Sequence, residues 1–200
     1  MKEIDVKPWL IRMRQGEEDA FQEVYRATRS YVYNLIYFLA PNKQDVDDIM
    51  SEVYIELIRS LDKYDPEQSF SSWFNGLIVR QVRNWNRSIW RRFRLLERVK
   101  EKGYEAPVAG MEDKLGAISD QLEVIPVVEQ LSQKLKEIVV LRYYQNASLE
   151  EIATILQIPL GTVKSRHHMA MKKLREHFGE RTNRREATFH VHGGQAEKRV

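Results

Sequence analysis

Apolar residues in this 200-residue chain return at every third or fourth position over long stretches, and that spacing restricts the chain to helices packed on helices. From Ala20 the series Phe21, Val24, Tyr25, Thr28, Val32, Leu35, Ile36 and Leu39 runs up to Pro41. It predicts a helix of about five turns. A second series, Val46, Ile49, Met50, Val53, Leu57, Ile58 and Leu61, predicts a helix over residues 45–61 that stops at Asp62-Lys63-Tyr64-Asp65-Pro66. Phe70, Trp73, Phe74, Leu77, Ile78, Val82, Trp85 and Ile89 predict a third, and Pro8-Trp9-Leu10-Ile11 a short leading one. No run alternates strictly with β-branched enrichment, so no sheet is expected. The expected fold is all-α.

Between about residues 103 and 121 the period is lost, with three glycines, Pro107 and four acids against one Lys. This composition suits a flexible, slightly acidic linker. Two small helical domains are therefore expected, over 1–95 and 123–178, with a linker over 96–122 and a polar tail over 179–200 that has nothing to pack a core. Helical spacing resumes with Val124, Val127, Val128 and Leu131 and continues through Leu135, Ile138 and Val139. Ser148 and Glu151 then have the spacing of a capping box, which starts another helix. That helix ends around residues 157–161, and a last one runs from Thr162 to about Phe178, burying Val163, Ala170, Leu174 and Phe178. A compact helix, a Pro/Gly turn and a basic amphipathic helix make a helix-turn-helix.

The net charge of +3 conceals opposed segments. Residues 42–67 carry eight acids and three bases, whereas residues 80–102 carry nine bases and two acids. In the third helix Arg80, Arg83, Arg87, Arg91 and Arg94 follow at spacings of three and four, forming a cationic rail beside Phe70, Trp73, Asn84, Trp85 and Trp90. Arginines among aromatics suit a single or distorted DNA strand, with phosphates on the rail and bases on the rings. The plainer alternative is a solvated basic face over a core in which Trp73, Phe74 and Leu77 are buried. The last helix carries five Lys and Arg against Glu176. Thr162, Lys164, Ser165, Arg166, His168 and Lys172 are its candidate DNA contacts: the first turn offers N–H groups to a phosphate, and the long side chains reach base edges. His167 and His168 are adjacent, so they do not share a helix face and make a poor ligand pair.

The absence of Cys excludes disulfides, thiolate nucleophiles and sulfur-ligated zinc. The longest nearly apolar run, residues 31–40, is half of what a membrane-spanning helix needs. A cytoplasmic chain without membrane insertion is expected. The second helix carries Asp48, Glu52 and Glu56 at i, i+4 and i+8, yet no His joins them. Docking to a basic protein surface therefore fits this face better than a metal site, with a plainly solvated surface helix as the alternative, and neither a cofactor nor a catalytic centre is expected.

Asp45-Val46-Asp47-Asp48-Ile49-Met50-Ser51-Glu52-Val53-Tyr54, then Leu61-Asp62-Lys63-Tyr64-Asp65-Pro66 and Phe70-Ser71-Ser72-Trp73-Phe74 resemble the polymerase-binding and promoter-melting segments of bacterial RNA polymerase sigma factors of the extracytoplasmic-function class. Ser148-Leu149-Glu150-Glu151-Ile152-Ala153 and Ile158-Pro159-Leu160-Gly161-Thr162-Val163-Lys164-Ser165-Arg166 are similar to that family's C-terminal helix-turn-helix. The resemblance spans about residues 10–178. It implies a subunit that binds core RNA polymerase through Asp45, Asp48, Ile49, Glu52, Val53 and Glu56. It further implies that Phe70, Trp73, Arg80, Arg83, Asn84, Arg87 and Arg91 bind and open the downstream promoter element, while the last helix reads the upstream one. The linker would thread near the RNA exit path, and an anti-sigma factor would be a partner. Three residues depart from the family pattern: Ser51 stands where Gln is usual, Arg80 where Asn is common, and Gln157 where Gly is customary. The rival readings are a helix-turn-helix regulator that works without being a polymerase subunit and, less well supported, a metal-dependent hydrolase built on the acids of residues 45–56.

Overall fold

The computed structural model describes residues 6–100 and 125–192, and among them every regular element is helical. In chain order these are α1 (Lys7–Arg14), α2 (Glu18–Leu39), α3 (Val46–Ser60), α4 (Phe70–Lys100), α5 (Ile125–Glu129), α6 (Gln133–Val139), α7 (Leu149–Leu156) and α8 (Leu160–His192). Single 3₁₀ turns, Lys43–Asp45 and Leu61–Lys63, precede and follow α3. A π turn, Val140–Tyr144, continues α6.

The helical stripes become the core. Val24, Val32, Leu35, Ile36 and Leu39 of α2 meet Ile49, Val53 and Leu57 of α3 and Phe74, Leu77, Ile78 and Val82 of α4, all fully buried. Phe70 stacks on Phe74 at 5.1 Å and meets Tyr64 edge-on at 5.9 Å. Trp73 lies 4.8 Å from Tyr64 and is half-buried, so of the three core residues expected in α4 it is the one that keeps an open side. Tyr54 reaches in with a hydroxyl 2.9 Å from Thr28 Oγ1, which itself donates to Val24 O. Burial pushes the Tyr54 phenol up to about 12.

The leading helix clamps this bundle. Gly16, at φ +82°, makes the left-handed turn from α1 into α2, a conformation that costs an L side chain strain. Arg14 donates from Nε and Nη2 to Leu61 O at 3.0 and 2.6 Å, and also from Nη2 to Tyr64 O. These are the carbonyls of the turn between α3 and α4.

The second unit packs against the first. Gly76 lets α4 cross α7 so closely that a Cβ there would lie 3.1 Å from Ile155 O. Phe38 of α2 meets Tyr144 at 4.7 Å. Lys43 Nζ pairs with Glu129 at 3.0 Å, and Arg83 forms a two-pronged pair with Glu137, Nε to Oε1 at 2.8 Å and Nη2 to Oε2 at 2.5 Å.

Several boundaries differ from the sequence reading. The third helix does not stop at the expected boundary near residue 95. It runs to Lys100, because nothing between Leu95 and Lys100 breaks it, so residues 96–100 are helix and not linker. The rest of the expected linker, 101–122, falls outside the described residues. The last helix begins at Leu160, two residues early, and continues to His192 through the tail expected to be unstructured. Gly179 alone costs a helix about 1 kcal/mol, and no proline follows it. Residues 193–200 lie outside the described set. Ile58, placed in the buried stripe of α3 by its spacing, is 53% exposed.

Candidate nucleic-acid and protein interfaces

Three surfaces emerge. On α3, Asp48 and Glu52 are exposed, while Glu56 and, in the turn before the helix, Asp45 are half-buried. Ile49 and Val53 are fully buried, so they hold the helix in place and do not touch a partner directly. Sequence reasoning missed the exposed Ile55 and Ile58, at 41% and 53%. Asp48, Glu52 and Ile55 fall at i, i+4 and i+7, so the acidic face has an apolar centre, a combination suited to docking a protein. The signal lay in Ile55 itself, which stands off the helix's apolar stripe. Ser51 turns its hydroxyl back to Asp47 O at 3.0 Å, presenting no long polar group where the family usually has Gln. Among the described residues no three His, Asp or Glu side chains converge to hold a metal ion.

On α4 the rail is partly open. Arg80, Asn84, Arg87 and Arg91 are exposed. Arg87 donates to Asn84 Oδ1 at 2.6 Å, which orients the amide. Arg83, at 32% exposure, is committed to Glu137, which is 1% exposed, and this pairing holds the guanidinium pKa above its ordinary value. Phe70, expected as a stacking ring for a base, is a core residue at 6% exposure. Among the described residues, half-buried Trp73 and Trp85 and exposed Trp90 and Ile89 are the apolar groups left near the rail.

In the third surface, Ser148 caps α7 by the predicted reciprocal bonds, Ser148 N to Glu151 Oε2 at 2.7 Å and Glu151 N to Ser148 Oγ at 3.1 Å. The Ser148 backbone N–H, joined by the Ser148 hydroxyl, holds the Glu151 carboxyl below its usual value. α7 ends at Gln157 in the left-handed region, φ 54°, ψ 48°. Pro159 O receives Thr162 N and Val163 N, starting α8. Val163, Ala170 and Leu174 are buried as expected. Lys164, Ser165, His168 and Lys172 are exposed, with Thr162 and Arg166 half-buried beside them. His167 turns aside: its ring stacks with Tyr143 at 5.9 Å, Nε2 lies 3.0 Å from the Tyr143 hydroxyl, and burial lowers its pKa. The π turn carries Tyr143 there.

These surfaces have counterparts among known proteins. The family model of sigma-70 region 2 matches residues 24–92, which include α3 and the rail as far as Arg91, and that of sigma-70 region 4 matches residues 127–176, which include the helix-turn-helix. The chain is 30% identical over 169 residues to the RNA polymerase sigma-E factor of Streptomyces antibioticus, covering 84% of this chain and 90% of that protein. It is 26% identical over 194 residues to the ECF RNA polymerase sigma factor SigW of Bacillus subtilis, covering 87% and 97%. The chain belongs to the extracytoplasmic-function class of RNA polymerase sigma factors. As a sigma factor it binds core RNA polymerase and directs promoter-specific initiation, which sets aside the free-standing regulator and the hydrolase. Its family is one of non-catalytic transcription regulators. The fold agrees: the sigma factor RpoE of Bartonella quintana, solved with the anti-sigma factor NepR, superposes with a TM-score of 0.58 at 19% identity, covering 78% of this chain and 94% of that one. No helix among the described residues is long and apolar enough to cross a membrane.

Proposed function

We propose that this sigma factor divides its work among the three surfaces, with α3 docking on core polymerase, α4 taking the downstream promoter element, and α8 reading the upstream one. The observation that carries this division is the separation of charge by helix: exposed acids around Ile55 and Ile58 on α3, exposed arginines on α4, and exposed Lys164, Ser165, His168 and Lys172 on α8. The first unit, about residues 1–95, holds the docking and opening surfaces. The second, about 123–178, holds the reader.

Opening DNA costs about 1.4 kcal/mol per base-pair step. A base stacked on an aromatic ring returns about 1–3 kcal/mol, and a bidentate base contact discriminates by a similar amount. Half-buried Trp73 and Trp85 and exposed Trp90 offer few stacking surfaces, so several opened steps need polymerase contacts as well. α8 then sets where the complex lands and α4 whether the strand opens. The work takes place in the cytoplasm. An anti-sigma factor is a fitting regulator, as the structural neighbour was captured with one. Transcription in vitro with core polymerase, with and without this chain, on a library of promoter sequences tests the division. Arg80→Ala and Arg91→Ala should impair opening while retaining upstream preference, and loss of preference in those variants would refute it.

A further inference from the structure

The seam between the two units has a charge logic that the division of labour does not use. In the ion pairs that cross it among the described residues, the cations, Lys43 and Arg83, belong to the first unit and the anions, Glu129 and Glu137, to the second. Glu137 is 1% exposed, and its two oxygens take Nε and Nη2 of Arg83. That fork is the geometry in which a guanidinium grips a phosphate. Arg83 belongs to the rail, with Arg80 and Arg87 exposed on either side of it in sequence. A carboxylate from the C-terminal unit thus sits where a promoter phosphate would sit. The rest of the seam is apolar and continuous with the core on both sides, with α4 packed along α7 at Gly76 and Ile155 and Phe38 against Tyr144.

We propose that the seam is an electrostatic latch in which Glu137 occupies Arg83 in place of a DNA phosphate. Closed, the chain withholds the middle of its rail while leaving the reading face of α8 exposed. Opening exchanges one anion for another on Arg83, so nucleic acid itself favours the open state. The latch rests on the reading of α4 as a DNA-binding rail.

The chain lacks cysteine, so two fluorophores can be placed cleanly at exposed positions outside the three surfaces, on Gln22→Cys in α2 and Glu150→Cys in α7. In the labelled full-length chain at low salt, a short single-stranded oligonucleotide should lower energy transfer. Glu137→Gln should lower it without DNA and tighten oligonucleotide binding at least threefold. Gly76→Val, which pushes the seam apart without altering charge, should do the same. In an Arg83→Ala background, Glu137→Gln should give no gain in affinity. Opening without tighter binding, or no opening in either variant, overturns the latch. Arg80→Ala, away from the seam, separates the two readings: if it weakens binding while Glu137→Gln changes nothing, the rail stands and the latch falls. If Arg80→Ala has no effect, both fall.

Discussion

Replacing Gln157 by Gly should stabilise the protein. Gln157 closes α7 at φ 54°, ψ 48°, where a Cβ crowds the following carbonyl at a cost of about 1–2 kcal/mol for an L residue. Its side chain is exposed and holds no ion pair, so its removal sacrifices little. The bonds that matter come from the backbone: Gln157 N to Ala153 O and Thr154 O, and Ile158 N to Ala153 O, all of which glycine keeps. Against the relieved strain stands the greater freedom of an unfolded glycine, about 0.5–1 kcal/mol. The balance is a gain of about 0.5–1 kcal/mol, or roughly 1–4 °C in midpoint for a chain of this size. Thermal and urea unfolding followed by circular dichroism would measure it, with Gln157→Ala as the control that removes the side chain but keeps the Cβ. An equal effect of Gly and Ala, or a loss of stability with Gly, would refute the strain argument. Promoter preference should not change, because Gly at this position leaves the direction of α8 as it is.

Ser148→Ala should remove one half of the capping box and cost about 1 kcal/mol. Glu151 has a lowered pKa when folded, so its contribution is present above the ordinary carboxylate range and is lost as pH falls through the folded value. Glu151→Gln, which removes the titrating group, should show a shallower acid-side loss of stability than the parent in urea titrations at stepped pH, whereas Ser148→Ala, which keeps the backbone N–H on the carboxylate, should retain most of that loss. Glu52→Lys and Ile58→Asp should each weaken association with core polymerase by about tenfold, equivalent to 1.4 kcal/mol, and a pull-down recovering equal polymerase would remove α3 from the docking surface. Arg166→Ala and His168→Ala should alter upstream-element preference by about 1–3 kcal/mol at the contacted base pair, whereas His167→Ala, which loses Tyr143, should reduce stability and leave preference unchanged. Phe70→Ala should cost about 3–5 kcal/mol in unfolding, marking it as core.

The helices were legible because Val24, Leu35, Ile49, Phe74 and Ile152 repeat with the period that burial on one face demands, and the capping box at Ser148 was legible because its two bonds are local in sequence. Pairings between distant segments left no such trace. Glu137 lies at a helix-stripe boundary where either solvent or Arg83, 54 residues away, satisfies the pattern. Phe70 carries the same aromatic signal whether it faces a base or Phe74. Ile58 fits an apolar spacing that the packing of α2 and α4 does not extend far enough to cover. The end of α8 was missed because polarity alone does not stop a helix when no breaker follows Gly179.

The hold that Arg14 keeps on the carbonyls of Leu61 and Tyr64 ties the corner where α3 becomes α4 to a third, separate helix. A corner braced in this way resists hinging. If α3 docks on the polymerase and α4 on DNA, as proposed, the first contact sets the angle of the second, and a thrust delivered on one side arrives on the other with little slack. Removing the Arg14 brace, by Arg14→Ala, should make that transmission soft.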